Sequence, residues 1–172
     1  MEQRKQLYAF LNTVITSKFN KEGISCGYAN GYVAIPPEHP MYGKGYDEVD
    51  VSIHGGLTFG EKKSDISGSF NSEWWRNIEK LGFTEDIPDD YWVFGFDTCH
   101  AGDGLHLSRD WCVEETLYLK NQFNDMYVPV LKEPLKFHAE IYRDSYGNLN
   151  LSDWEIPQDL FPELKHSDDP IS

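Results

Sequence analysis

The feature that most constrains this chain is the run Tyr91-Trp92-Val93-Phe94-Gly95-Phe96, apolar almost without a break and bounded by Asp90 and Asp97. A stretch so short and so continuously apolar predicts a strand buried on both faces, which requires a sheet around it. A polar loop, Asp97-Thr98-Cys99-His100-Ala101-Gly102-Asp103, comes directly after it, and a second, His54-Gly55-Gly56-Leu57-Thr58-Phe59, lies upstream. Each sets ionisable side chains beside glycine at the apparent end of a strand, an arrangement common where a sheet presents a site.

Leu7, Phe10, Leu11, Val14 and Ile15 recur at helical spacing and predict an amphipathic N-terminal helix over about residues 3–19. Residues 28–35 read as extended, and Pro36, Pro37 and Pro40 make the next segment a rigid surface loop. Val49, Val51 and Ile53 alternate with Asp50, Ser52 and His54, which predicts a strand with His54 ending its polar side. The polar segment 61–70 reads as a mobile connection. Ser72 is placed to cap a short helix carrying Trp74, Trp75, Ile78 and Leu81, stopped by Gly82. Ser108 or Asp110 begins a later helix over about 111–123, and Asp144-Ser145-Tyr146-Gly147-Asn148 sits between two short extended segments as a hairpin signal. These elements predict an α+β fold with a mainly antiparallel sheet, one compact domain over residues 1–160 and a frayed tail over 161–172.

Lys and Arg number 15 against 29 Asp and Glu, for a formal net charge of −14. Such a surface disfavours nonspecific contact with nucleic-acid backbone or anionic lipid. It admits a role as an acidic inhibitor that occupies the basic groove of a host protein, although solubility alone also accounts for it. No stretch approaches the roughly 20 apolar residues needed to span a bilayer, and the N-terminus opens an amphipathic pattern rather than a signal peptide. Cys26, Cys99 and Cys112 form neither a CxxC pair nor an even framework. We therefore expect buried thiols in a cytosolic chain, with Cys99 set apart by its place in the polar loop.

His54, Asp97, His100 and Asp103 are the candidate catalytic residues. Two imidazoles and two carboxylates suffice to hold a divalent transition metal with room for an activated water. Without a metal, Asp97 or Asp103 can orient His100 while His54 polarises or protonates a bound phosphate or carbonyl. The plain alternative is that the loop residues cap turns and satisfy their own backbone. Binding without turnover is the third reading: Gly55, Gly56, Gly102 and Gly104 offer backbone N–H to an anion, Tyr42, Tyr46, Trp74, Trp75 and Trp92 offer rings, Lys44, Lys62, Lys63, Arg76 and Arg109 offer charge, and Thr58 joins the ligand-binding set. No serine or cysteine is placed as a nucleophile, so any hydrolysis would use water. No GxGxxG fingerprint or P-loop is present, and the sequence assigns neither a cofactor nor an oligomeric state.

Three strings, HPMYGK at 39–44, VSIHGGLTF at 51–59 and GFDTCHAGD at 95–103, resemble those of a group of small bacteriophage and prophage proteins. The resemblance covers about residues 30–125 and carries no assigned chemistry. It implies a phage or mobile-element setting, where small acidic proteins counter host defence. The expectation is a protein that binds a small phosphorylated ligand, such as a nucleotide immune signal, and sequesters or hydrolyses it; an acidic host-protein inhibitor and a metal-dependent hydrolase are the alternatives.

Overall fold

The computed structural model describes residues 4–69, 72–127, 140–143 and 149–152. The hairpin turn 144–148 and the tail 161–172 expected from sequence lie outside them. In chain order the elements are β1 (Tyr8–Asn12), α1 (Val14–Lys21), β2 (Asn30–Ile35), a 3-10 turn (Tyr46–Glu48), β3 (Phe59–Lys62), α2 (Lys63–Ser69), α3 (Ser72–Arg76), β4 (Ile78–Leu81), β5 (Trp92–Phe96), α4 (Arg109–Met126), β6 (Glu140–Arg143) and β7 (Leu149–Ser152). The chain divides into two units, Met1–Val130 and Leu131–Ser172. In the second, β6 and β7 pair antiparallel. The first has the expected α+β architecture with an antiparallel sheet: five strands in the order β3-β5-β2-β1-β4, every pairing antiparallel.

The sheet is buried on both faces, and the alternation of side chains along each strand shows it. Leu7, Ala9 and Leu11 join Val33, Ile35, Phe94 and Phe96 in a cluster with Cys112, Leu119 and Phe123 of α4. Tyr8 and Phe10 point the other way, to Tyr32, Ala34, Val93, Ile66 of α2 and Trp74 of α3. Against α4 the contact is a helical stripe, Cys112, Thr116, Leu119 and Phe123. The helix begins where expected, with the Ser108 hydroxyl accepting the Trp111 N–H.

Three expectations are corrected. The predicted N-terminal helix is instead strand then helix: residues 7–11 are apolar at every position and fully enclosed, so β1 sits centrally between β2 and β4. Asn12 makes the switch, its Oδ1 accepting the Val14 N–H at 2.9 Å while its Nδ2 donates to the Trp74 carbonyl at 2.8 Å. Residues 61–69 are not an irregular connection, since the end of β3 and all of α2 occupy them. Ile78 and Leu81 belong to an edge strand rather than to the helix of Trp74, because β4 pairs with the other side of β1.

His39, 3 % exposed, ties the proline loop to α4. Its Nε2–H donates to the Phe123 carbonyl at 2.8 Å and its Nδ1 accepts the Met41 N–H at 3.0 Å, which fixes the neutral ring. Burial pushes its pKa below the ordinary value of 6.5, against the opposing pull of the Phe123 carbonyl. Below pH 6.5 the unfolded chain takes up a proton that the folded chain refuses, so stability falls as pH drops through that window. Urea midpoints at pH 7.5 and 5.5 should therefore fall more for the wild type than for His39→Gln, even though the variant starts lower; parallel falls would contradict this assignment.

Candidate functional site

The segment 49–54 reaches the site by an unexpected route. Its alternation is real, since Val49 is buried and Val51 and Ile53 pack on the same cluster, but it forms no strand. Its backbone is held by side chains of α4 instead. Gln122 Oε1 accepts the Ser52 N–H at 2.8 Å, Gln122 Nε2 donates to the Ser52 carbonyl at 2.9 Å, and Glu115 Oε1 accepts the His54 N–H at 2.9 Å. Docked on a helix rather than a strand, the segment delivers His54 against the edge of Trp111, their ring centroids 5.1 Å apart.

Two tight turns then present the chemistry. Gly56 N–H donates to the Ile53 carbonyl at 3.0 Å, with His54 and Gly55 in the middle of the turn and Gly55 at φ +67°. Asp103 N–H donates to the His100 carbonyl at 3.0 Å, with Gly102 third at φ +94°. A positive φ at the third residue is what a type II turn demands and what glycine accepts without strain. Gly55 has a second reason to be glycine: a Cβ there would collide with the His100 imidazole.

The turns bring His54, His100 and Asp103 together. Asp103 Oδ2 lies 3.1 Å from His54 Nε2, 3.1 Å from His100 Nδ1 and 2.8 Å from His100 N, all placed to donate to it. The Asp103 side chain is 7 % exposed, against 26 % for His54 and 36 % for His100, so the carboxylate forms the floor and the imidazoles the rim. Burial works to raise the Asp103 pKa, but donation from His54 and His100 outweighs it and holds the carboxyl below its usual range. One ligand atom from each residue falls within 4.8 Å of the others. An ion bound by these atoms would take the place of the two N–H···O contacts, because a ligating imidazole nitrogen carries no proton. Asp97 stands beside the group, its Oδ1 3.7 Å from His100 Nδ1 and accepting the Cys99 N–H at 3.0 Å.

Among the other candidates, Tyr42 spends its hydroxyl on the Asp90 carbonyl at 2.6 Å and its ring on Trp92, at 5.7 Å. Lys44 closes a turn on Met41, Tyr46 starts the 3-10 turn, and Thr58 N–H donates to the Gly95 carbonyl. Among the described residues, no hydrogen bond, ion pair or ring contact joins Tyr42, Lys44 or Tyr46 to the histidines. The backbone N–H groups of His54, Gly56, Cys99, His100 and Asp103 all have acceptors within the protein. The N–H groups of Gly55 and Gly102 have no such acceptor among the described residues, while the carboxylates of Asp97, Asp103 and Glu115 favour a cation.

Sequence reasoning missed Trp111, Glu115 and Gln122, although the spacing of the first two already set both on one helix face. It also missed Ser25, whose hydroxyl donates to the Asp103 carbonyl at 2.7 Å, and it misread the cysteines. Cys26 and Cys99 are joined in a disulfide, and only Cys112 is free and buried. The pair is 73 residues apart, a separation that no local motif reveals. Burial raises the Cys112 pKa and keeps that thiol protonated. With two of its three cysteines bridged, the chain's cysteine usage no longer argues for a reducing compartment. No helix among the described residues is long and apolar enough to cross a membrane. No protein-family model, curated protein or solved structure matches this chain.

Proposed function

We propose that the chain binds a divalent transition metal through His54, His100 and Asp103 and uses it to hold and hydrolyse a small phosphorylated ligand. The observation that carries this reading is the convergence of two imidazoles and one carboxylate, their ligand atoms within 4.8 Å of one another, on a partly open rim. Two histidines and a carboxylate leave positions for water and substrate, and an ion there lowers the pKa of bound water toward about 7. Asp97, Asp103 and Glu115 around the imidazoles favour a cation and disfavour a bare phosphate, so a phosphate oxygen would enter through the metal. In hydrolysis the water oxygen forms the new bond to phosphorus, and the ester oxygen departs with the water's proton. Needing no protein nucleophile, the reaction agrees with the absence of one in either loop. The resemblance to bacteriophage proteins supports a counter-defence setting, with a nucleotide immune signal of the host as the ligand class.

The test is metal analysis of protein purified without chelator, then calorimetric titration of the stripped protein with zinc and manganese. One ion per chain is expected, together with metal-dependent consumption of at least one compound from a panel of cellular nucleotides followed by mass spectrometry. Trace metal and no saturable binding would overturn the reading; one bound ion without turnover would retain the centre and remove the hydrolysis.

A further inference from the structure

We infer a second ligand site, on the face of the sheet turned away from α4, that takes a nucleoside phosphate. The metal centre packs with the α4 cluster through Ile53 and Trp111, whereas Trp75 and Ile78 pack with the cluster of Tyr8 and Phe10 on the other face. There a cavity of about 550 Å³ is lined by Lys63, Arg76 and Lys80, by Trp75, Ile78 and Ile87, and by the carboxylates Asp86 and Asp89. Its volume is in the range of small-molecule clefts, and it combines cations with an aromatic and aliphatic wall. For a chain with 15 basic residues and a net charge of −14, three cations against two carboxylates around one cavity form a local excess of positive charge.

The arrangement of those cations is what points to an anionic ligand. Lys63 pairs with Asp89 at 2.5 Å, and Lys80 with Asp86 at 3.4 Å. In each pair the lysine is the enclosed partner and the acid the exposed one: 18 % against 85 % for the first, 28 % against 103 % for the second. Lys80 is further fixed by the carbonyls of Thr84 and Glu85 at 3.0 and 2.9 Å, and the Lys63 ammonium lies 5.3 Å from the centre of the Trp75 ring. Exposed carboxylates can swing into water at little cost, because surface ion pairs contribute about 1 kcal/mol or less. The lysines would stay where they are. A phosphate entering the cavity would thus replace two loosely held carboxylates with one tightly charged group, and Arg76, held to Ser72 at the rim, adds a fork-shaped donor. Trp75, Ile78 and Ile87 remain to cover a base or sugar, which selects a nucleoside phosphate over inorganic phosphate.

Calorimetry with ATP, AMP, adenosine and inorganic phosphate, in excess EDTA so that the metal centre is empty, tests the assignment. ATP or AMP should bind with a Kd tighter than about 1 mM, and adenosine and phosphate each more weakly by about tenfold or more. The double variant K63Q/K80Q should weaken nucleotide binding by at least about tenfold, while K63R/K80R, which keeps both charges, should bind within a few fold of wild type. Absence of saturable nucleotide binding, indifference to K63Q/K80Q in a folded protein, or adenosine binding as tightly as ATP would each overturn the site. Because metal is excluded throughout, this result is independent of the outcome for His54, His100 and Asp103.

Discussion

Asp103→Asn should abolish tight metal binding while leaving the domain folded, with zinc or manganese affinity reduced by at least about 100-fold, or about 2.7 kcal/mol. Asp103 is the only anionic member of the proposed ligand set and also the acceptor that aims both imidazoles. Asparagine matches its size and keeps one carbonyl oxygen for the His100 N–H. What it loses is the charge and the ability to accept from both rings at once, since its amide nitrogen only donates. The measurable signature lies in the difference between two melting curves. Saturating metal at about 100 times its Kd raises wild-type stability by about 2.7 kcal/mol, so wild type should melt several degrees higher with metal than with chelator. At the same metal concentration a 100-fold weaker site adds about 0.4 kcal/mol or less, so the variant's two curves should differ by only a small fraction of the wild-type shift.

Equal metal-induced shifts in wild type and Asp103→Asn would remove Asp103 from the ligand set, and with it the proposed centre. A third pattern would be informative too: no metal-induced shift in either protein would favour the acidic protein inhibitor over the metal enzyme. That inhibitor depends on surface charge spread over many carboxylates, so it should tolerate the loss of one that is 7 % exposed.

Sequence patterns were most legible where one physical demand acted on a segment. The apolar run ending at Phe96 is β5, and Ser108 starts α4, because burial on two faces and an unsatisfied helix terminus each have a plain signature. The pattern misled where two elements shared one stripe. Leu7, Phe10, Leu11, Val14 and Ile15 fit a helix only if Tyr8 and Ala9 are ignored; the unbroken run 7–11 meets the same criterion that identified β5. Val49, Val51 and Ile53 show a subtler failure. Period-two alternation reports an extended backbone with one buried side, and the partner that buries it can be a helix whose glutamate and glutamine take the place of a neighbouring strand. The candidate site was legible as two loops because histidine, aspartate and glycine concentrate there. Its division of labour was not: Asp103, not Asp97, is the shared acceptor, since the turn closed by Gly102 folds Asp103 back over His100.

Opening the Cys26–Cys99 disulfide should cost the domain about 2–4 kcal/mol, a large share of the roughly 5–15 kcal/mol that holds a domain of this size together. The bridge joins residues 73 apart and so removes much of the freedom of the unfolded chain. In the folded state its surroundings are already well tied. Thr98 N–H donates to Asn30 Oδ1 at 3.1 Å, the Thr98 hydroxyl to the Ala29 carbonyl at 3.1 Å, and Gly27 N–H to the Thr98 carbonyl at 2.8 Å. Those bonds survive reduction, so the loop should keep its shape and the loss should show chiefly as easier unfolding. Two measurements separate these effects. The urea midpoint of Cys26→Ala/Cys99→Ala should fall well below wild type, and treatment with a reductant should lower the wild-type midpoint toward that of the variant. Metal affinity of the folded variant, measured without thiol reagents that would compete for the ion, should change by less than about tenfold, because His100 and Asp103 are positioned by their own turn. An unchanged urea midpoint would show that the bridge restrains nothing in the unfolded chain. A collapse of metal affinity at unchanged stability would instead make the disulfide, rather than the Gly102 turn, the device that sets His100 in place.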